Sequence, residues 1–282
     1  MESIAMPQLP KRLDRTSLCW GSVPEAGLVE LAALASRHGF PEISVRPGHY
    51  IHAREAEDWL ERLAATGVTV GVIDALLGYL PGSPHSEEFG NDVAELDACL
   101  EAAVQLGART LNVAHYRGDP TVGFDQMSEA VSEIASRVEH AGVRCSLEFI
   151  PGTGIPDLET VLRLMEEADS SAVGVMFDTW HHIRVGGTSS ELSALETGQV
   201  FEVQISGRRT PSATDEYVPM TGRLAPGQGD APVAELVREL WAVDAELVLG
   251  LEVFTAERGE MDMRVAHLAG ATRTFLTEEV FS

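Results

Sequence analysis

Leu247–Phe254 reads LVLGLEVF, an apolar run that carries a single carboxylate near its end. In an extended strand successive side chains alternate between faces, so Val248, Gly250 and Glu252 share one face while Leu249, Leu251 and Val253 share the other. Three earlier runs repeat the plan: CSLEFIP over 145–151 carries Glu148, VGVMFDTWHH over 173–182 carries Asp178, and VFEVQISG over 200–207 carries Gln204. Counting by twos puts Ser146 with Glu148, Gly174 and Met176 with Asp178, and Glu202 with Gln204, whereas Leu147, Phe177 and Val203 point the other way. One ionisable group at the end of an apolar strand is ordinarily a helix cap or a solvated turn residue. Four oxygen donors at the ends of four consecutive runs, all on the inner face, are what a metal ion needs from segments far apart in sequence. The expectation is a metalloenzyme.

Working outward, short β-rich runs alternate with longer helical patterns along the whole chain, the signature of βα units and a parallel sheet. Eight rounds are legible, with strands near Ser17–Trp20, Glu42–Arg46, Thr69–Ile73, Thr110–Val113, Arg144–Phe149, Val173–Asp178, Val200–Ile205 and Leu247–Phe254. Each is followed by a helical pattern, such as Glu88–Leu106 with apolar residues at Val93, Leu96, Leu100 and Val104. The glycines at 67, 107 and 142 fall after a helix and before a strand, where a left-handed residue is wanted. The fold class expected is a single (β/α)8 TIM barrel over residues 1–282, a length that suits one such barrel better than two small domains. The longest loop runs from Ser206 to Asp230; its end, PGQGD, places Asp230 to cap the next helix and Pro232 in its first turn. A loop of that length in a compact domain is commonly functional, so it is expected to cover the site.

Composition narrows the function. At 44% hydrophobic residues the chain has material for a large core, and its formal charge of −24, with no Lys/Arg-rich tract, argues against nucleic acid as a partner. Cys19, Cys99 and Cys145 form neither a CxxC pair nor an even-numbered disulfide set, which suits a reducing cytoplasm. The first twenty residues hold no apolar segment long enough for a signal h-region and nowhere do 18 consecutive apolar residues occur, so the protein is expected to be unexported and a membrane is not an expected partner.

The motifs LEFIP, FDTWHH, VQISG, PGQGD and LEVF, in this order, resemble the xylose isomerase-like TIM-barrel family, which holds sugar isomerases, epimerases and related dehydratases. The resemblance covers nearly the whole barrel and is strongest from Glu148 to Phe254. It implies one divalent ion held by Glu148, Asp178, Gln204 and Glu252. Ketose epimerases carry histidine at the seventh strand; Gln204 followed by PGQGD looks more like the 3-dehydroshikimate dehydratase branch, although that branch continues with an Asp where Gly207 stands here. The multi-zinc, histidine-rich site and basic face of the DNA-repair relatives are not evident.

Three carboxylates and an amide favour Mn²⁺ or Mg²⁺ over zinc, which more often draws His or Cys. Such an ion polarises a carbonyl or hydroxyl and stabilises the charge that develops when a neighbouring C–H proton leaves. Reprotonation then gives isomerisation or epimerisation, and loss of a β-hydroxyl gives dehydration. His181 lies three residues beyond Asp178 and matches the family histidine that contacts substrate or moves protons, with His182 as its neighbouring decoy. Glu148 and Glu252 are expected to add acid/base roles, as in the epimerase relatives. Arginine grips carboxylates with a two-pronged fork, and Arg46, Arg208, Arg209 and Arg223 follow barrel strands, as do His49, His115 and Arg117. Of these, Arg223, Arg46, Arg208 and His115 are the substrate-binding candidates, Arg223 foremost by its place before PGQGD. Trp20 and Trp180 can stack on a ring face. The reaction expected is metal-dependent isomerisation or epimerisation of a small polyhydroxylated carbonyl compound such as a sugar, sugar acid or cyclitol. Dehydration of a cyclic keto acid is the alternative, and a non-catalytic sugar- or metal-binding barrel is a third reading. The resemblance also implies a homo-oligomer.

Overall fold

The computed structural model describes residues 13–84, 94–210, 221–254 and 259–281. Eight parallel strands close into a barrel in chain order: β1 Thr16–Cys19, β2 Glu42–Val45, β3 Thr69–Leu76, β4 Thr110–Ala114, β5 Arg144–Glu148, β6 Val173–Asp178, β7 Val200–Ile205 and β8 Leu249–Leu251. These strands are nearly continuous apolar runs because both faces are covered, one by barrel side chains and the other by helices. All eight coincide with the expected rounds. Two ends differ. β3 continues past Ile73 to Leu76 and so takes in Asp74. β8 stops at Leu251, leaving Glu252 just beyond it, where its N–H still donates to the Ile205 carbonyl at 3.1 Å.

The outer helices are α1 Leu28–His38, α2 Pro47–Ala53, α3 Trp59–Ala65, α4 Leu96–Leu106, α5 Phe124–Ala141, α6 Leu158–Ala168, α7 Thr179–Arg184, α8 Val233–Val243 and α9 Met261–Phe275. Helix α5 shows why they form: Met127, Val131, Ile134, Ala135 and Val138 recur at helical spacing and are all buried against the barrel. Each of the larger ones contributes roughly 1.5–3 kcal/mol by leaving water. Gly142 then ends the helix at φ 70°, and Gly107 and Gly67 do the same after α4 and α3, at φ 66° and 69°. In α4 the buried stripe runs through Leu96, Cys99, Leu100, Ala102 and Ala103. Val104, expected on that stripe, is 53% exposed, because it sits more than a quarter-turn from the stripe's centre. Val93 and the proposed first turns of that helix lie outside the described residues. Cys19, Cys99 and Cys145 are free and buried, and no helix among the described residues is long and apolar enough to cross a membrane.

The lower end of the barrel is closed by a buried ionic plug. Arg109 pairs with Glu42 and, at 2.9 Å, with Glu202, whose other oxygen accepts from the Thr110 hydroxyl at 2.7 Å. Inward polar groups at this end therefore serve packing, and chemistry is left to the opposite rim.

After β7 the chain turns back on itself: Gly207 and Leu224 exchange two backbone hydrogen bonds of 2.8 Å, which fixes Arg223 beside the barrel mouth. Residues 211–220 of the long loop lie outside the described set, so its coverage of the site is described only at its two ends. Asp230 does not cap α8. Its carboxylate instead accepts from the Thr210 N–H at 2.5 Å, stitching the loop ends together, while Pro232 occupies the cap position. Gly229 allows this stitch, since its φ is 96° and a Cβ there would lie 2.0 Å from the Arg208 carbonyl oxygen. Gly229→Ala is expected to destabilise the protein by about 1–3 kcal/mol, measured by urea unfolding.

Candidate metal centre and active site

At the upper rim, strand register sets the donors side by side. Asp178 is level with Gln204, Gln204 with Gly250, and Asp74 with Asn112, so the site is a ring of neighbouring strand positions. Two amides bind that ring together. The Asn112 Nδ2 donates to Asp74 Oδ1 and to Glu148 Oε2, both at 2.8 Å. The Gln204 Nε2 donates to Asp74 Oδ2 and to Glu252 Oε1, both at 3.1 Å. Above them the Arg223 guanidinium pairs with Asp178 Oδ2 at 2.5 Å and with Glu252 Oε2 at 2.9 Å. His181 Nε2 stands 3.4 Å from Glu148 Oε1 and 3.5 Å from Asp178 Oδ2. Asp178 also caps α7 by accepting from the Trp180 N–H at 2.7 Å, which orients the turn that returns His181 to the site.

Burial sets the electrostatics. Asp74, Glu148, Asp178 and Glu252 are all buried, and the buried Arg223 guanidinium pairs with two of them. Desolvation pushes the Asp74 carboxyl up to about 7, with the Glu148 charge adding and the Asn112 hydrogen bond opposing. Desolvation likewise raises Glu252 well above the carboxylate range, against the pull of Arg223 and with the charges of Asp74, Asp178 and Glu148 adding. For Asp178 burial acts upward too, but Arg223 and then His181 outweigh it and hold the group below its ordinary value.

This arrangement fits a divalent cation. One oxygen each from Glu148 and Asp178 and a nitrogen of His181 lie within 4.8 Å of one another. The buried Gln204 Oε1 has no hydrogen-bond partner among the described residues. A cation would take up that acceptor and offset the excess of buried negative charge. The compact cluster sets His181 beside Glu148 and Asp178, and a nitrogen donor there weakens the preference for Mn²⁺ or Mg²⁺ over zinc.

The cavity above the ring is about 190 Å³, and its wall includes Glu148, His181, Arg223, Glu252, Arg46 and the unanticipated Asp74. Trp20, Trp180, Tyr116, Ile150 and Phe254 supply its flat apolar sides. The structure thus brings together Glu148, Asp178, Gln204, Glu252, His181, Arg223 and Arg46. Arg223 faces the cavity, but its donors are engaged by Asp178 and Glu252, so it acts as their counter-ion and not as a substrate fork in this state. Arg46 lies over the Trp20 ring at 4.6 Å, with the His49 Nδ1 accepting from its backbone N–H at 3.1 Å. His115 and Arg208 stand away from the cavity wall. The His115 Nδ1 accepts from the Gly154 N–H at 3.0 Å, and Arg208 donates to the Trp180 carbonyl at 3.0 Å with its guanidinium 4.5 Å from that ring. Neither side chain lines the cavity in this structure; both hold loops behind its wall. His182 is buried against Phe177 and Phe149, with its Nε2 3.1 Å from the Thr188 carbonyl.

Asp74 and Asn112 were missed by the sequence reading. The alternation that selected the other donors also selects them, since VGVIDAL and TLNVA each set a polar residue inside an apolar run. Ending β3 at Ile73 leaves Asp74 in a loop, and Asn112 stands in the middle of its strand where the other donors stand at strand ends.

Among curated proteins none matches the chain. Among solved structures, the IOLI protein with a binding zinc atom aligns at TM-score 0.79 and 16% identity over 95% of this chain and 99% of that one. The probable 3-DHS dehydratase AsbF, involved in petrobactin synthesis, from Bacillus anthracis aligns at TM-score 0.72 and 15% identity, covering 94% and 99%. A xylose isomerase-like TIM barrel/4-hydroxyphenylpyruvate dioxygenase fusion protein aligns at TM-score 0.75 and 17% identity over 90% of this chain, which spans only 41% of the fusion's length. At such identities the likeness is one of fold. The family described as xylose isomerase-like TIM barrel matches residues 32–274. With that match across the barrel, the chain belongs to the xylose isomerase-like TIM-barrel family.

Proposed function

We propose that this protein is a divalent-metal-dependent isomerase or epimerase that enolises a small sugar, sugar acid or cyclitol next to its carbonyl. The observation that carries this reading is the convergence of Glu148, Asp178, Gln204 and Glu252 from four consecutive strands, with His181 Nε2 3.4 Å from Glu148. The four would hold one Mn²⁺ or Mg²⁺ ion. When bound, that ion supplies Lewis-acid stabilisation of the charge that develops on a substrate oxygen. His181 is the proton carrier in this scheme: it stands at the cavity wall, and a carboxylate bound to a cation is a weakened base. Glu148, next to His181, and Glu252, across the cavity, would pass or return the proton on their own sides. Trp20, Trp180, Tyr116 and Phe254 give the cavity apolar sides, and its volume of about 190 Å³ suits one small ring or short chain. Three buried thiols suit a reducing compartment, in keeping with a cytoplasmic enzyme.

A second reading, dehydration of a cyclic keto acid, draws on Arg46 stacked over Trp20 at the wall, where its guanidinium can meet a carboxylate beside a flat ring. One experiment tests both. The Mg²⁺-loaded protein is incubated in D₂O with ketoses, inososes and 3-dehydroshikimate and followed by NMR. Metal-dependent deuterium uptake beside the carbonyl supports enolisation, new aromatic signals from 3-dehydroshikimate support the lyase, and neither from any compound would remove both enzymatic readings.

A further inference from the structure

Gln204 is a neutral ligand candidate, and an amide can present either its oxygen or its N–H₂ to a neighbour; only the oxygen binds a cation. Which end faces the ion is decided by what surrounds the N–H₂. Here both amide hydrogens are taken by carboxylates, Asp74 Oδ2 and Glu252 Oε1 at 3.1 Å each. A flipped amide would set its oxygen against two carboxylates, so the orientation is enforced by the network. Asp74 is in turn fixed by Asn112, whose Nδ2 faces the carboxylates of Asp74 and Glu148 at 2.8 Å each, which settles that amide too, while its Oδ1 accepts from the Ser146 hydroxyl at 3.3 Å. The result is one belt, Glu148–Asn112–Asp74–Gln204–Glu252, that joins three of the four ligand candidates through a carboxylate at its centre. Gln204 Oε1 is left buried and unpartnered among the described residues.

We propose that Asp74 is the positioning residue for Gln204, holding its amide so that Oε1 is the atom offered to the ion. The inference rests on the metal reading given above and adds to it a partner that makes glutamine serviceable as a ligand at the seventh strand. The Asp74–Asn112 arrangement supplies to an amide what an outer hydrogen-bond acceptor supplies to a ligating histidine.

The test is Mn²⁺ affinity, read from the electron paramagnetic resonance signal of free ion, in the parent and in Asp74→Asn, Gln204→Glu and the double variant, with thermal melts of the metal-free forms alongside. Asp74→Asn leaves one acceptor oxygen for the two N–H₂ groups of Gln204 and Asn112, breaking the belt at one of them, and is expected to weaken Mn²⁺ binding about 10–100-fold. Asp74→Ala, which adds no donor, should show a loss in the same direction and stands in if the asparagine variant does not fold. In the Gln204→Glu background the sign reverses: Asp74→Asn now gives the new carboxylate a donor and removes a repulsive neighbour, so binding tightens. Equal losses in both backgrounds would mean that Asp74 acts only through its charge, and would overturn the inference. Tight binding by the parent with unchanged binding by Asp74→Asn would also overturn it while leaving the metal reading intact. A parent that takes up no Mn²⁺ would instead remove the metal reading, and this inference with it.

Discussion

Glu252→Gln is expected to leave the barrel folded while metal-dependent turnover falls by about 10²–10⁴-fold, the range spanned by loss of one proton-transferring group, and ion affinity falls with it. The fold should tolerate the change because an isosteric amide keeps the side chain's shape and removes a charge that burial disfavours. Arg223 keeps its two contacts with Asp178, at 2.5 and 3.2 Å. A melting temperature close to that of the parent in the metal-free state, together with lost turnover, is the expected pair of results. A variant that unfolds would place Glu252 among the structural ion pairs, and one that turns over normally would remove it from the site.

The adjacent histidines should part company. His181→Ala is expected to lower kcat by about 10²–10⁴-fold with ion affinity nearly intact, since the ring sits at the cavity wall beside Glu148 and outside the four-oxygen set. His182→Ala should keep kcat per folded molecule but cost about 2–4 kcal/mol of stability, because its ring fills space between Phe149 and Phe177 and its loss leaves the Thr188 carbonyl without that partner. Chemical denaturation and steady-state kinetics on both variants separate the effects. If His181→Ala instead weakens ion binding severely, the compact cluster of Glu148, Asp178 and His181 is the true ligand set. That outcome would also favour zinc over Mn²⁺ or Mg²⁺.

The barrel was legible because short apolar runs alternate with helical periods, several of them set off by a glycine turn, as in Thr110–Ala114 between Gly107 and α5. Period-two counting found Glu148, Asp178, Gln204 and Glu252, since a parallel barrel has only an inside and an outside and these residues fall on one parity. It failed at Asp74 for a boundary reason: one residue decided whether the carboxylate belonged to β3 or to a loop. The arginines were beyond such counting. Whether Arg223 grips a substrate or neutralises ligands depends on where the Gly207–Leu224 pairing sets it, a contact across many residues that no local pattern encodes. The same holds for Arg208 and His115, which follow strands as cavity residues do and yet turn toward Trp180 and Gly154. Asp230 shows the converse case, with strong local cap chemistry displaced by a tertiary contact to Thr210.

The central claim is that one divalent ion sits among the oxygens of Glu148, Asp178, Gln204 and Glu252. Anomalous diffraction from crystals grown with Mn²⁺ tests it most directly. The account predicts a single strong peak per chain at the upper rim, touching those four side chains, with the Arg223 guanidinium drawn back from Asp178 and Glu252. No peak there, or a peak at another site with Arg223 still clamped between the two carboxylates, would contradict it.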